Sequence, residues 1–293
     1  MRVTERAIFE NGKVAAAEAR ERHAAAVDKA STGLAMEHPW DSADAARVAR
    51  EKIAVAQAGA IATVAERSSE ELNAVDGALA SVVDTLTSAA ELAVQMANGT
   101  YNAEDRLRAA AQARAQWTNA LAALNVEIAG RYLLGGTEDQ APPFDPTTGA
   151  YQGDDGVRTI EAGPGMPIDV SVRADQVIAG ANGGVDVLGA LERFAQALEA
   201  SDVAAIRTSL GELQTGIGQV ALGRSQVGSM QLSAEAAALT SREVELAATE
   251  RKAALTDADF VDAATELALA ERALDATLSV TAKSFQLSLL DRL

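Results

Sequence analysis

Apolar residues in the first half of the chain recur at alternating steps of three and four positions. The first series comprises Leu72, Val75, Leu79, Val82, Leu86, Ala89, Ala93 and Met96. This spacing places the side chains on one stripe of a long helix. Asn98-Gly99 is a typical helix end, and Asn102, with Asp105 three positions later, is a typical helix start. The pattern therefore predicts an antiparallel helical hairpin.

A second series predicts the other arm of this hairpin and the core between the arms. It runs through Leu107, Ala110, Trp117, Leu121, Leu124 and Ile128. We expect the two stripes to pack against each other, with Trp117 as a core anchor. The predicted bundle core comprises Leu72, Leu79, Leu86, Leu107, Trp117, Leu121, Leu124 and Ile128.

Two further amphipathic stretches follow residue 185 and complete a predicted bundle of three or four helices. The shorter comprises Leu191, Phe194 and Leu198, and the longer comprises Ile206, Leu210, Leu213, Ile217, Val220 and Val227. Between the two helical halves, residues 131–184 hold all but one of the 6 prolines. Short period-two runs at 157–159 and 168–172, separated by Gly-containing turns, predict a small strand-rich lobe there.

The last segment predicts a long helix whose apolar face has little to cover it. Thr256 is the predicted cap, and the stripe comprises Phe260, Leu267, Leu274, Leu278, Thr281, Phe285 and Leu289. The predicted partner is the N-terminal helix, through Val3, Ala7, Val14, Ala17, Ala24 and Ser31. Because that stripe is thin, we expect both ends to be poorly ordered until other subunits cover them.

The pattern predicts a mainly α fold: an elongated antiparallel helical bundle or coiled coil formed by the N- and C-terminal halves, with a small β-rich inserted lobe. Residues 1–40 and 256–293 are the predicted terminal helices, which form an assembly domain. Residues 41–130 and 185–255 are the predicted bundle, and residues 131–184 the outer lobe. The low aromatic content of 3% favours close helix packing through Ala, Leu and Val.

Charge and composition exclude several classes of function. The net charge of -17 repels phosphate backbones and anionic lipid, so we expect no nucleic acid partner. The chain has no Cys, and therefore no disulfides, thiolate nucleophiles or Cys-based zinc sites. Arg2, Glu5, Arg6 and Glu10 stand where a signal peptide would be apolar, and no run of 18 apolar residues predicts membrane insertion.

No pattern predicts a catalytic, cofactor or metal site, so we expect no enzyme. His23 and His38 are the only histidines and lie outside an H-E-x-x-H pattern. Asp257, Asp259 and Asp262 lack the glycine and distal glutamate of a calcium loop, so helix capping explains them better. The glycines at 163 and 165 belong to no phosphate-binding motif and are interpreted as turns.

Four separated segments carry a resemblance to a known family. They are Met1-Arg2-Val3-Thr4 with Phe9; Ser31-Thr32-Gly33 with Pro39, Asp41 and Ala45-Ala46-Arg47; Gly130-Arg131-Tyr132-Leu133-Leu134-Gly135-Gly136-Thr137 with Pro142-Pro143-Phe144; and Asp257-Ala258-Asp259 through Ala263-Ala264-Thr265-Glu266-Leu267 to Leu287-Ser288-Leu289-Leu290-Asp291-Arg292-Leu293. Together they resemble the flagellin-like axial proteins of the bacterial flagellum. Within that family they are most similar to the type 3 hook-associated proteins, which join hook to filament.

The resemblance implies a structural subunit at the hook-filament junction, exported by the flagellar type III system and assembled by coiled-coil packing of its termini. Its implied partners are a hook-side hook-associated protein, flagellin, an export chaperone on the C-terminal helix, and further copies in a ring. Its implied location is the extracellular flagellum, after a transient cytoplasmic stage. The predicted assembly and chaperone interface comprises Val3, Ala7, Val14, Phe260, Leu267, Leu274, Leu278, Phe285, Leu289 and Leu290.

Two alternatives stay open on the sequence alone. Filament subunits of the same family also have such end helices. The first alternative is therefore a minor flagellin. The heptad spacing without a signal peptide also fits a cytosolic coiled-coil scaffold, which has no role in the flagellum.

Overall fold

The computed structural model describes residues 2–35, 44–163 and 165–290, and the side chains of residues 10–35, 44–163 and 165–283. The helices are α1 (Arg2–Thr32), α2 (Ala45–Met96), α3 (Ala103–Leu124), α4 (Ala174–Val177), α5 (Val187–Glu199), α6 (Val203–Thr256) and α7 (Phe260–Leu290), with a short 3-10 turn at Ala181–Gly183. The strands are β1 (Glu127–Ile128), β2 (Arg131–Tyr132), β3 (Thr159–Glu161) and β4 (Pro167–Asp169). The predicted mainly α class with a small strand-containing part is confirmed.

The strands form two small antiparallel pairs. Glu127 pairs with Tyr132 in the β1–β2 hairpin, and Ile160 pairs with Ile168 in the β3–β4 hairpin. The second period-two run extends beyond its strand, because β4 ends at Asp169 while Val170 and Val172 are buried in irregular backbone. The alternation of apolar and polar residues in this region therefore indicates which side chains are buried, and not how far the strand extends.

The chain divides into two compact units. Residues 1–56 and 244–293 form unit 1, and residues 57–243 form unit 2. The helices α2 and α6 each contribute to both units, whereas α3, α5 and the strands belong to unit 2. Unit 1 contains α1 and α7, which pack against each other.

The core of unit 2 is built from heptad rows of the long helices. Leu72, Leu79 and Leu86 of α2 are at most 1% exposed, and Leu121 and Leu124 of α3 are also buried. The inward row of α6 repeats every seventh residue through Ile206, Leu213, Val220, Val227 and Ala234, all of them fully buried. Phe194 and Leu198 of α5 complete this core.

Two residues of the predicted bundle core lie outside it. Leu107 is 57% exposed, because α3 turns Arg106, Ala110 and Ala113 inward instead. Ile128 lies in β1, since α3 already ends at Leu124. Trp117 is partly buried, and a side chain added at Gly149 would meet its ring at 3.1 Å, so a lobe glycine packs against the predicted anchor.

The chain leaves α3 for the lobe at Asn125. Its Nδ2 donates to the Phe144 carbonyl at 2.9 Å, and its Oδ1 accepts from the Phe144 N–H at 3.0 Å. This amide replaces the next helical hydrogen bonds with a link to the lobe, which explains why the helix stops there. Phe144 is itself buried and stacks obliquely on Tyr151.

Polar side chains organise the turns of the lobe. Asp154 accepts hydrogen bonds from Thr137 and from the Gly156 N–H, and the Thr137 bonds hold the pKa of Asp154 below its ordinary value. The Tyr151 hydroxyl lies 2.8 Å from the Asp154 carbonyl oxygen, and burial raises the pKa of Tyr151 to about 12. Gly136 has a positive φ of 76°, and a side chain there would collide with Asp154.

Two anchors hold the lobe to the long helices of unit 2. Glu71 of α2 accepts from Arg131 at 2.7 Å and from Arg158 at 3.2 Å. Gln219 of α6 accepts from the Val185 N–H at 2.8 Å and donates to the carbonyl oxygens of Val177 and Val185 at 2.9 Å. The lobe is therefore fixed to both α2 and α6.

The connection between α6 and α7 differs from the sequence prediction. The helix α6 continues through Thr256, whose Oγ1 donates back to the Lys252 carbonyl at 3.0 Å, so Thr256 does not cap α7. Asp259 does, because its Oδ1 accepts from the Val261 N–H at 2.7 Å and from the Asp262 N–H at 3.2 Å. Several residues could cap this acidic segment, and spacing alone did not distinguish them.

One window of 18 residues within α2, among the described helices, is apolar enough by composition to cross a membrane, with a mean hydropathy of 1.3. However, 44% of that window is buried within the protein. Such burial is typical of a core helix, so this window is weak support for a membrane span.

Candidate assembly surface

The helices α1 and α7 pack as an antiparallel pair through small side chains. Ala19 and Ala26 of α1 are 8% and 5% exposed, and Ala263 of α7 is 2% exposed. Lys29 binds Glu266 at 2.6 Å, while a side chain at Gly12 would lie 3.5 Å from Thr281. Residue numbers thus rise along α1 as they fall along α7, and the alanines let the backbones approach closely.

The predicted stripe of α1 faces away from α7. Val14 is 56% exposed, and Ala17 and Ala24 are exposed as well. The helix turns the row that contains Ala19 and Ala26 inward, because small residues allow a closer fit to α7 than Val14 would. The most hydrophobic row of α1 is therefore not the row that packs within the chain.

The predicted stripe of α7 is divided between the pair and the surface. Leu267 and Leu274 are partly buried, whereas Leu278 is 38% and Phe260 80% exposed. The other predicted interface residues, Val3, Ala7, Phe285, Leu289 and Leu290, lie outside the residues whose side chains the structure describes.

Three exposed apolar residues of α7 lie outside the predicted stripe. Val261, Leu269 and Val280 are 69%, 60% and 67% exposed. Their positions do not follow the three-and-four spacing of that stripe. The sequence indicates them only in that α7 has apolar residues on more than one face. A helix apolar on several sides requires more than one partner, and exposed apolar patches mark interaction surfaces.

A groove of about 540 Å³ runs along the pair. Its walls include Ala15 and Ala19 of α1 and Leu269, Ala270 and Ala273 of α7. This volume would admit several side chains of a third helix. The groove is lined by small side chains, one exposed leucine and the charged residues Glu18, Arg22, Lys29 and Glu266. Another helix can pack closely on the small side chains and Leu269.

Charges at this surface are solvent-exposed and paired along or across the helices. Arg22 lies 3.7 Å from Glu18, and Lys29 bridges the pair to Glu266. Exposed ion pairs contribute at most about 1 kcal/mol, so apolar contact would dominate binding here. Among the described residues, no group of three or more acidic or His side chains is placed to hold a metal ion.

Comparison with solved structures identifies the fold. The chain is similar to a structure described as a putative flagellar hook-associated protein from Vibrio parahaemolyticus, at 20% identity and a TM-score of 0.61, over 70% of this chain and 93% of that one. It is also similar to flagellar hook-associated protein-3 from Legionella pneumophila, at 14% identity and a TM-score of 0.61, over 71% and 98%. Bacillus cereus FlgL matches at 18% identity and a TM-score of 0.56, over 69% and 96%.

The chain therefore has the fold of flagellar hook-associated junction proteins. Neither the comparison with protein-family models nor that with curated protein sequences gave a match. At these identities the likeness concerns the fold, and the functional assignment is a separate step.

Proposed function

We propose that this protein is a structural, non-enzymatic subunit of the bacterial flagellum at the hook-filament junction. The observation that carries the proposal is the exposed apolar surface on α7, in a chain with the fold of hook-associated junction proteins. Phe260, Val261, Leu269 and Val280 are all at least 60% exposed. Such residues on an end helix need partners outside the chain.

Assembly would use the paired terminal helices. A third helix from a neighbouring subunit would enter the groove and cover Leu269 and Val280, and a further subunit would cover Phe260 on the other side of α7. Contacts between different surfaces of successive copies generate a ring or a helical tube. In this scheme, a hook-side hook-associated protein lies at one end and flagellin at the other. For the terminal, bundle and lobe domains we retain the boundaries predicted from the sequence.

Export would precede assembly, through the flagellar type III system. Bare apolar residues on α7 would aggregate in the cytoplasm, so a chaperone that binds this helix would keep the subunit soluble until export. The protein would then be extracellular, at the junction, after a transient cytoplasmic stage. It would need no cofactor for this role.

Deleting the gene tests the role itself. Cells that lack the protein should build hooks and shed flagellin into the medium, and immunogold labelling of wild-type cells should mark the base of the filament. Normal attached filaments in the deletion strain would exclude the proposal. Labelling along the whole filament would instead identify a minor flagellin, and labelling confined to the cytoplasm a scaffold.

A variant tests the surface. Leu269→Asp combined with Val280→Asp should abolish motility and chaperone binding, because both changes place charge on exposed apolar residues of α7 that partners would cover. The matched control is Leu107→Asp, which adds a charge at a helix residue of unit 2 that is 57% exposed. Equal motility and equal chaperone affinity in the two strains would refute the assigned surface.

A further inference from the structure

One face of α6 carries large apolar side chains that no part of the described chain covers. Leu222, Leu232 and Leu239 are 64%, 69% and 68% exposed. Leu232 and Leu239 each follow a residue of the buried row by five positions, which places them about 140° around the helix. The exposed face is therefore directed away from the core of unit 2.

Two glycines continue the row of these leucines. Gly211, Gly218, Ser225, Leu232 and Leu239 follow one another at intervals of seven residues, and all are exposed. A side chain added at Gly211 or Gly218 would find no atom within 4 Å, so the fold of the chain itself does not require glycine there. Because glycine destabilises a helix interior, its presence indicates close approach by another molecule.

The row complements itself when it is reversed. If two copies of α6 run antiparallel with Ser225 facing Ser225, Gly218 of each copy faces Leu232 of the other. Gly211 then faces Leu239, because the members of each pair lie equally far from Ser225. Each exposed leucine of this row thus has a glycine opposite it, which is the size match that close helix packing needs.

The neighbouring rows obey the same register. Ala221 lies at the level of Ser229 of the other copy, and the exposed Leu222 lies at the level of Gly228. A side chain at Gly228 would likewise meet nothing within 4 Å in its own chain. Large residues therefore face small ones on the flank as well as along the centre of the surface.

Charge also favours a second copy at this face. Between residues 211 and 239 the charged residues are Glu212, Arg224 and Glu235. Arg193 binds Glu212 at 2.9 Å, Arg224 binds Asp76 at 2.9 Å, and Glu235 accepts from Ser69 at 3.4 Å. Because the whole chain carries a net charge of -17, two copies meet with least repulsion on a face whose few charges are engaged within their own chain.

We propose that a second copy of this chain binds the α6 face as an antiparallel, two-fold pair. The surface from Gly211 to Leu239 is about 42 Å long and about 10 Å wide, so the pair buries roughly 800 Å² in total. Stable interfaces bury about 1,200–2,000 Å², so this dimer is weak and depends on concentration. A two-fold contact closes on itself, so the pair is a state of the unassembled subunit and does not rest on the proposed function.

Single-cysteine cross-linking tests the register, since the natural chain has no Cys. Purified full-length Ser225→Cys should form a disulfide dimer under mild oxidation. Gly218→Cys and Leu232→Cys should each stay monomeric alone and should cross-link when mixed. The matched control is Thr118→Cys, an exposed residue of α3 that should not cross-link.

Three outcomes would overturn the proposal. They are cross-linking of Ser225→Cys no faster than that of Thr118→Cys, cross-linking of Gly218→Cys with itself, and dimers that appear only after another flagellar protein is added. Sedimentation equilibrium gives an independent measurement without cysteines. Leu232→Asp combined with Leu239→Asp should weaken the dimer at least about ten-fold with unchanged circular dichroism, and an unchanged dissociation constant would contradict the assigned face.

Discussion

Arg106 and Gln116 both lie on the buried side of α3, but they differ in how well their polar atoms are hydrogen-bonded. Arg106 is 6% exposed and donates to the Met96 carbonyl at 3.0 Å, to Ser201 Oγ at 3.0 Å and to the Asn98 carbonyl at 3.1 Å. Two of these acceptors lie at the end of α2, where helix carbonyls lack partners and a cation is favourable. Gln116 is 9% exposed, and its Oε1 has no hydrogen-bond partner.

These two residues give a paired prediction about stability. Arg106→Met should lower the free energy of unfolding by about 2–4 kcal/mol, because it leaves buried carbonyls at the end of α2 unpaired. Gln116→Met should raise it by about 1 kcal/mol, because it removes an unsatisfied buried acceptor and keeps the volume of the side chain. Urea denaturation of the full chain would measure both changes, and equal destabilisation by the two substitutions would contradict the hydrogen-bond assignments.

At the scale of elements, the contact between the lobe and α6 depends on one glycine. A side chain at Gly223 would lie 2.5 Å from Cγ1 and 2.8 Å from Cγ2 of Val177, which is itself 6% exposed. Gln219 lies one turn earlier on α6 and bonds the carbonyl oxygen of Val177. A helix residue with no side chain therefore lets the lobe approach closely enough for these hydrogen bonds to form.

Gly223→Ala should destabilise unit 2 by about 1–3 kcal/mol, because Val177 would have to move out of a packed site. The control is Gly77→Ala in α2, where an added side chain meets nothing within 4 Å. That change should stabilise the chain by about 0.5–1 kcal/mol through helix propensity. Thermal melts of both variants would measure the effects, and a gain in stability from Gly223→Ala would show that the lobe does not need this approach.

Sequence periodicity predicted the existence of most helices but not all of their faces or ends. The heptad rows of α2 and α6 were visible because Leu and Val mark them, and the start of α3 was visible in Asn102 and Asp105, which form the capping box that the structure contains. The inward row of α1 was not visible, because alanines gain less from burial than Val14 and pack well only against a suitable partner. The end of α3 depends on Asn125 bonding to Phe144, a contact between residues 19 positions apart that no local pattern contains.

At the scale of the whole molecule, the two units differ in what they bury. Among the described residues of unit 1, the buried apolar side chains are Val48 and the alanines Ala19, Ala26, Ala248 and Ala263. Unit 2 buries Phe144, Phe194 and many leucines. Since the stabilisation from burial scales with apolar area, unit 2 supplies most of the stability of the chain, and the pairing of α1 with α7 supplies little.

A chain shortened to residues 45–256, without α1 and α7, should therefore unfold cooperatively with a midpoint within about 4 °C of the full chain, as expected for the loss of no more than about 1 kcal/mol. Calorimetry of both chains would measure this. In the full chain, hydrogen exchange should be much faster in α1 and α7 than in the core rows of α2 and α6, because local opening of the end helices exposes little apolar surface. If the shortened chain were unfolded, or if the end helices exchanged as slowly as Leu79 and Val220, the end helices would be part of the stable core and could not be the surface that becomes ordered on assembly.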